Sequence, residues 1–189
     1  MLTYLKWTFW IVFWVLLLSF LHYTLPRWDT VRIVDTYEKR ENPGENSIFW
    51  SNARTGSGVG PEGGRDVFFI QAATAGGGAM VYRNEDTGWG WPPFFKFDTA
   101  SLQARAADLR STADSPRWVA IKHYGWRAEL LTAYPNALRI KEVAGPEERV
   151  TPWTSIGLLV ALAALFWAIY ARWRRFWDNR VDPLLDAEV

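Results

Sequence analysis

The stretch WTFWIVFWVLLLSFLHYTL at residues 7–25 contains no Lys, Arg, Asp or Glu, and neither does WTSIGLLVALAALFWAIY at residues 153–170. About 20 consecutive apolar residues cross the hydrocarbon core of a bilayer, so both stretches predict transmembrane helices. Bulky side chains, residues 20–23, follow the first apolar run where signal cleavage requires small ones, which favours an uncleaved anchor over a secretory signal. A buried core helix is the alternative for the second stretch, but such helices carry a polar stripe that this one lacks.

Basic residues beside the two predicted spans indicate how the chain crosses the membrane. Arg172, Arg174 and Arg175 follow the second span directly, and Lys6 precedes the first. Since basic residues in short flanking segments stay in the cytoplasm, both ends are predicted to be cytoplasmic in the inner membrane of a bacterium. The predicted segments are the cytoplasmic ends 1–6 and 172–189, the spans 7–25 and 153–171, and a β-rich periplasmic domain at 26–152.

The composition of the 189-residue chain excludes several classes of function. The formal net charge is +1, so we expect no nucleic-acid partner. The absence of cysteine excludes disulfides, thiolate nucleophiles and Cys-ligated metals, and His22 and His123 are the only histidines. We therefore expect no bound metal and no cofactor. No catalytic constellation is recognisable, so the sequence does not predict an enzyme.

The middle of the chain predicts five strands and one helix. The strands are predicted from alternating or β-branched apolar residues, and the helix from an apolar stripe of helical period. The predicted strands are 30–41, 65–73, 79–83, 117–123 and 136–143, and the predicted helix is 99–110. Three strands, a helix and two strands are the element order of an OB-like barrel, a five-stranded Greek key. A plain α+β sheet with one covering helix is the competing prediction.

The first strand and the start of the helix carry more local predictions. Val31, Ile33 and, less regularly, Asp35 are predicted to share one face of the strand. The helix is predicted to begin with Asp98 or Thr99 as its cap, because a short side-chain oxygen accepts hydrogen bonds from exposed first-turn N–H groups.

Residues 42–64 are rich in glycine and proline and predict a mobile loop. Their GVGPEG run at residues 58–63 matches the dinucleotide-binding fingerprint. Phosphate binding by that fingerprint requires a strand before it and a helix after it. Neither is predicted here, so the sequence does not favour a nucleotide site.

A dense aromatic run, NEDTGWGWPPFFK at residues 84–96, follows the third predicted strand. It is too rich in glycine and proline for a regular element. Such a loop is able to dock on a membrane surface, a protein partner or a sugar, or to close an open end of the barrel, and we favour barrel closure or membrane docking. We expect Trp89 to make an external contact and Phe95 and Phe97 to lie in the core. The candidate binding residues in this run are Trp89, Trp91 and Phe94.

The first four residues of that run, Asn84 to Thr87, offer two adjacent carboxylates and an amide. Hard cations such as calcium require several oxygen ligands, but the spacing differs from that of a calcium loop. A solvated turn is therefore the prediction for this segment.

The sequence HYGWR at residues 123–127 is a second candidate binding motif. Its candidate residues are His123, Tyr124, Trp126 and Arg127, which together are able to bind an anion or to move a proton. No serine or cysteine nucleophile stands at a recognisable spacing from His123. The aromatic residues serve equally well as packing residues at the junction of a strand and a turn.

Three strings of the chain resemble a known family. They are SFLHYTLP at residues 19–26, YRNEDTGWGWPPFFKFDTASLQARA at residues 82–106 and HYGWRAELLTAYPNALRI at residues 123–140. The resemblance is to the bacterial family called domain of unknown function 1523, whose members look like proteobacterial membrane proteins. It implies the membrane architecture predicted above and no activity, substrate or catalytic residue.

These patterns predict a non-enzymatic accessory or scaffold protein of the inner membrane. Its partners are expected to be the lipid bilayer and a membrane or periplasmic protein. A small-residue strip at Gly157, Ala161 and Ala164 allows close helix contact, which is also compatible with a homo-oligomer. The alternative is an envelope ligand-binding or sensor protein with a pocket near the HYGWR and GWGWPP segments.

Overall fold

The described part of the chain in the computed structural model comprises residues 2–41, 65–128 and 133–177. Its helices are α1 Leu2–Thr24, α2 Thr99–Asp108 and α3 Trp153–Phe176, and its strands are β1 Arg27–Glu41, β2 Arg65–Thr74, β3 Ala79–Asn84, β4 Trp118–Tyr124 and β5 Asn136–Glu142. Each predicted helix and strand is therefore confirmed, with shifted ends. The predicted loop 42–64, with its glycine pattern, lies outside the described residues.

The five strands form a closed barrel in the order β1-β2-β3-β5-β4, and β4 returns to β1. Neighbouring strands are antiparallel except β3 and β5, which run parallel. The barrel closes because β1 is long: its first part pairs with β4 and its later part with β2. This closure confirms the predicted barrel and excludes the competing open sheet.

A β-bulge in β1 corrects the alternation predicted for this strand. Val31 and Ile33 are fully buried, but the register with β2 shifts between Ile33 and Asp35. An extra residue at a bulge turns the side chains that follow it to the other face. Asp35 is therefore exposed and forms an ion pair with Arg110 at 3.0 Å, so its predicted place on the core face is wrong.

Helix α2 packs its apolar stripe into the barrel. Asp98 accepts a hydrogen bond from a first-turn backbone N–H at 3.0 Å and is the cap of the helix. Leu102, Ala106 and Leu109 face the core of the barrel. The buried members of that core are Val31, Ile33, Ile70, Ala72, Tyr82, Ala106, Leu109, Val119, Ile121, Ala137 and Ile140.

Helices α1 and α3 are both long and apolar enough to cross a membrane by length and composition. Their apolar side chains are exposed along nearly their whole length. Helix α1 belongs to the same compact unit as the barrel, and only Leu25 and Pro26 separate it from β1. Helix α3 belongs to a separate unit that begins at Pro152.

Candidate functional site

Three segments meet at the end of the barrel where α1 joins β1. They are the last turns of α1, the HYGWR segment (residues 123–127) and the loop between β3 and α2, which we call the aromatic loop (residues 85–98). The Gly125 N–H donates to the Tyr23 carbonyl at 2.9 Å, and the rings of Trp91 and Phe20 stack with centroids 5.7 Å apart. We call this region the helix-capped end of the barrel.

Backbone hydrogen bonds hold the base of the aromatic loop together. The N–H groups of Thr87 and Gly88 donate to the Lys96 carbonyl at 3.1 and 3.0 Å, and the Lys96 N–H donates to Thr87 Oγ1 at 3.1 Å. These bonds close the loop on itself. The residues between Gly88 and Lys96 are thereby held as a separate loop, from which Phe94 packs back on Tyr124 of the barrel.

The segment Asn84–Thr87 is not the solvated turn that its sequence predicts. Asn84, Glu85 and Thr87 are buried, and of the four residues only Asp86 is exposed. Asn84 Nδ2 donates to Gln103 Oε1 on α2 at 2.9 Å. These polar groups are buried because they supply the hydrogen bonds that close this end of the barrel.

Lys96 connects the aromatic loop to two strands, and no prediction from the sequence included it. Its Nζ is hydrogen-bonded to Asn84 Oδ1 and donates to the Ala137 carbonyl at 2.8 Å. Burial lowers the pKa of the Lys96 ammonium from its ordinary value to about 7, although the carboxylates of Asp86 and Glu85 act in the opposite direction. This buried lysine is thus a structural link rather than a solvated charge.

The aromatic side chains of the loop divide into an inner ring and four outer ones. The inner ring, Phe94, is half-buried and lies 5.0 Å from the ring of Tyr124. The outer rings, which we call the aromatic tip, are Trp89, Trp91, Phe95 and Phe97, with exposed fractions of 83%, 63%, 53% and 56%. The centroid of Trp89 lies 5.3 Å from Phe95 and 5.8 Å from Phe97, so these three rings form one surface.

The prediction that Phe95 and Phe97 lie in the core is therefore wrong. Phe95 has a φ of 51°, a left-handed conformation that bulky side chains rarely adopt. Phe94 packs on Tyr124 of the barrel, while Phe95 is exposed beside Trp89. The barrel end is filled instead by buried tyrosines, chiefly Tyr82 and Tyr124.

His123 has partners that the sequence did not reveal. Its Nε2 lies 2.8 Å from Asp29 Oδ2, out of line for a regular hydrogen bond, and its Nδ1 has no hydrogen-bond partner among the described residues. The Tyr82 hydroxyl also donates to Asp29 Oδ2, at 2.8 Å. Burial acts to raise the pKa of Asp29, but the contacts from His123 and Tyr82 and the charge of Arg27 outweigh it and lower that pKa.

The order of groups in this trio differs from that of a hydrolase. There, the nucleophilic hydroxyl lies against the imidazole and the carboxylate lies behind it. Here the Tyr82 hydroxyl donates to the carboxylate of Asp29. Burial raises the pKa of Tyr82 far above its ordinary value, and the charge of Asp29 adds to this, so the phenol stays protonated. The trio is a cluster in which two buried side chains contact the partly exposed carboxylate of Asp29, and it is not a chain for activating a nucleophile.

Tyr124 belongs to a second buried network. Asn136 accepts from the Glu85 N–H at 2.9 Å and donates to the Glu85 carbonyl at 3.1 Å and to the Tyr124 hydroxyl at 3.3 Å. Glu85 in turn lies 3.0 Å from Arg83, whose side chain is hydrogen-bonded to Tyr23 of α1. One continuous set of polar contacts therefore runs from β5 through the aromatic loop to the end of α1.

Trp126 contacts α1 from the other side of the helix-capped end. Its Nε1 donates to His22 Nδ1 at 2.7 Å, while Arg27 Nη1 lies 3.0 Å from His22 Nε2. A neutral imidazole has a single acceptor nitrogen, so His22 accepts from one of these two donors in either tautomer. Arg27 Nη2 also donates to the Gly125 carbonyl at 3.0 Å, which joins β1, α1 and the HYGWR segment.

The remaining predicted site residues are Arg127, after β4, and three arginines of α3. Arg127 is exposed, with its guanidinium 4.6 Å from the ring centroid of Tyr134. Arg172, Arg174 and Arg175 are exposed on the last turns of α3, which continues past the predicted span to Phe176. No group of three or more His, Asp or Glu side chains suited to a metal ion occurs within the described ranges.

The fold defines the class of this protein, which is a closed five-stranded barrel with a long apolar helix at each end of the chain. The polar groups at the helix-capped end of the barrel bond to one another. The chain belongs to the protein family of unknown function DUF1523, which matches residues 2–177. It is 38% identical over 152 residues to an uncharacterized protein of Haemophilus influenzae, covering 80% of this chain and 82% of that protein. No solved structure matches the chain significantly.

Proposed function

We propose that this protein is a non-enzymatic accessory or scaffold protein of the bacterial inner membrane. In this proposal α1 and α3 cross the bilayer, both ends of the chain are cytoplasmic, and the barrel stands in the periplasm beside a membrane-protein partner. The observation that carries the proposal is the join between α1 and the barrel. A helix whose exposed surface is almost entirely apolar is held to the barrel by a two-residue connection and by side-chain hydrogen bonds to His22 and Tyr23.

The exposed surface of α1 supports a membrane span. A helix that is apolar on all sides is stable only where its surroundings are apolar, which is the interior of a large protein or a lipid bilayer. Apart from its last turns, α1 is not covered by other described residues. The basic side chains of Arg172, Arg174 and Arg175 at the end of α3 favour a cytoplasmic carboxyl end.

The state of the polar groups supports a role without catalysis. Catalytic side chains need a proton or an electron pair available to substrate. At the helix-capped end, Glu85 and Asn136 bond to each other, and the hydroxyl of Tyr82 bonds to Asp29. These groups hold α1, the aromatic loop and the barrel in a fixed relation, which is what a scaffold requires.

Alkaline-phosphatase fusions test the membrane topology. A fusion after Gly64 should be active and a fusion after Asp186 inactive, because the enzyme folds only outside the cytoplasm. The opposite pattern would contradict the proposed orientation.

Purification of the full chain in mild detergent tests the scaffold role: a membrane protein should co-purify at a fixed ratio, and should be lost when the barrel is exchanged for an unrelated domain. If the same proteins co-purify after the barrel has been exchanged, the proposed scaffold role is refuted.

A ligand-binding or sensor protein is the second candidate function, and one observation favours it. The Asp29 side chain is 39% exposed although both of its partners, His123 and Tyr82, are buried. Its carboxylate therefore faces solvent from a rigid frame, as a ligand-binding group does. A solute that raises the melting temperature of the wild type but not of Asp29→Asn would support this function.

A further inference from the structure

We propose that the aromatic tip, formed by Trp89, Trp91, Phe95 and Phe97, docks into the headgroup and upper acyl region of the same bilayer that α1 crosses. This inference rests on the proposed membrane span of α1 and adds a second, peripheral contact with lipid. Three of its rings, Trp89, Phe95 and Phe97, touch one another, and all four rings of the tip are more than half exposed. Contiguous exposed apolar surfaces of this kind mark contact sites, whereas single exposed residues do not.

The position of the tip relative to α1 identifies lipid as its partner. Trp91 stacks on Phe20, which lies four residues before Thr24, the last residue of α1. Four residues of α-helix rise about 6 Å. The predicted span ends at residue 25, so when α1 spans the membrane Phe20 lies in the outermost part of the hydrocarbon layer, directly beneath the headgroups. The ring that stacks on it lies at the same depth.

The chemistry of the loop fits that depth. Residues 88–95 read GWGWPPFF and contain no charged side chain. Lys96, which follows them, is buried and directed into the barrel, so its ammonium is not presented at the surface. Tryptophan is enriched at membrane interfaces because its indole combines an apolar body with one N–H donor. Pro92 and Pro93 restrict the backbone, so little entropy is lost when the rings enter lipid.

The backbone of Phe95 is a separate observation in favour of an outward contact. Its positive φ is a strained conformation for a bulky residue, and such strain persists where the surroundings require it, often at ligand contacts. The conformation directs the ring away from the barrel and against Trp89. A loop whose only task was to close the barrel would gain nothing from an exposed phenylalanine at this position.

The absence of cysteine allows the depth of individual residues to be measured in the full-length protein. Single variants Trp89→Cys and Pro93→Cys place a nitroxide label on the tip, and each keeps at least three of its four rings. Leu16→Cys in α1 is the reference for the lipid interior. Ala75→Cys, in the turn at the far end of β3 from the aromatic loop, is the matched control for a water-exposed turn. Circular dichroism confirms that each labelled protein is folded.

The labelled proteins are reconstituted in vesicles of phosphatidylethanolamine and phosphatidylglycerol, and the nitroxides are probed with oxygen and with a water-soluble nickel chelate. We expect the ratio of oxygen to nickel accessibility at positions 89 and 93 to be several-fold higher than at position 75 and lower than at position 16. Labels at 89 and 93 as accessible to nickel as position 75 would overturn the docking proposal and leave the span intact. Labels shielded from both reagents would overturn it in favour of a protein contact. A nickel-accessible label at position 16 would overturn the membrane span itself, and the docking proposal with it.

Discussion

Phe94 and Phe95 are adjacent in the chain, yet they belong to two regions of the aromatic loop with opposite environments. Phe94 belongs to the base, where it packs on Tyr124 among buried hydrogen-bonded groups. Phe95 belongs to the aromatic tip, where it is exposed beside Trp89. The two side chains have the same hydrophobicity, so hydrophobicity does not decide which one enters the barrel.

The difference between base and tip is decided by the backbone and by polar contacts. The loop closes through Thr87 and Lys96, and Phe95 has a positive φ where the inner and outer side chains separate. Buried polar groups are costly unless they are paired, so the hydrogen bonds at the base select a single arrangement of the loop. The tip is then free of the core and available for a contact outside it.

The base should be highly sensitive to the loss of one polar side chain. Asn136→Ala leaves the buried N–H and carbonyl of Glu85 without their partner, and each unpaired group costs about 1–3 kcal/mol. We expect a loss of about 4 kcal/mol of unfolding free energy, measured by denaturant unfolding of the full chain in detergent micelles. Arg139→Ala, at an exposed position of the same strand, should stay within about 0.5 kcal/mol of wild type. Similar losses in the two variants would contradict the role given to the base.

The buried ammonium of Lys96 predicts a pH dependence of stability. Because its pKa in the folded protein is lowered to about 7, the unfolded chain binds more protons than the folded one at higher pH, up to the ordinary lysine pKa. Unfolding free energy therefore rises with pH in this window, by at most about 1.4 kcal/mol per pH unit.

Urea unfolding of the wild type and of Lys96→Met, between neutral pH and the ordinary lysine pKa, measures this effect. The rise should be present in the wild type and missing in the variant. Lys122→Met, which removes a lysine that is only partly buried, is the control and should keep the rise. A wild type whose stability is flat across this range would show that Lys96 keeps its proton in the folded barrel.

A matched pair of substitutions compares base and tip directly. Phe94→Ala removes a half-buried ring, and full burial of a phenylalanine is worth about 3–5 kcal/mol, so we expect a loss of about 2 kcal/mol. Trp91→Ala, which removes a ring of the tip, should cost less than about 1 kcal/mol in micelles. Thermal melting followed by near-ultraviolet circular dichroism measures both. Equal losses of stability in the two variants would contradict the distinction between the base and the tip of the loop.

The smallest expected effect is a gain in the unfolding free energy. Phe95→Asn keeps the positive φ, which asparagine tolerates, and removes an exposed bulky side chain from a strained conformation. We expect the stability in micelles to stay level or to rise by up to about 1 kcal/mol. The same protein in vesicles should show increased nickel accessibility at a label on position 93. A marked loss of stability would mean that Phe95 supports the barrel after all.

The secondary structure was predictable because its signals are local. The apolar runs of α1 and α3, the alternation in β4 and the cap at Asp98 all depend on residues within one or two turns of each other. Asp35 was misplaced because a bulge, which depends on pairing with β2, interrupts the alternation of β1. The candidate site was predictable only as a pair of segments, the aromatic loop and HYGWR.

The partners within the site were not predictable from those segments. His123 meets Asp29, and Trp126 meets His22, from which it is separated by 104 residues. Such pairs form only when the barrel closes and brings β1 beside β4. Lys96 was missed for the same reason, since its acceptors lie on β3 and β5. A lysine inside the apolar run FFKF was the one available signal of a buried charge.

The sequence by itself determined the elements of the chain, the two apolar helices able to span a bilayer, and the absence of thiol and disulfide chemistry. Each of these follows from composition or from a short period along the chain. Only the tertiary structure decided that the sheet closes, that Phe94 packs inside while Phe95 faces outward, and that the polar groups of the helix-capped end bond to one another. These outcomes depend on contacts between distant segments, where burial and hydrogen bonding act together and no local pattern records the result.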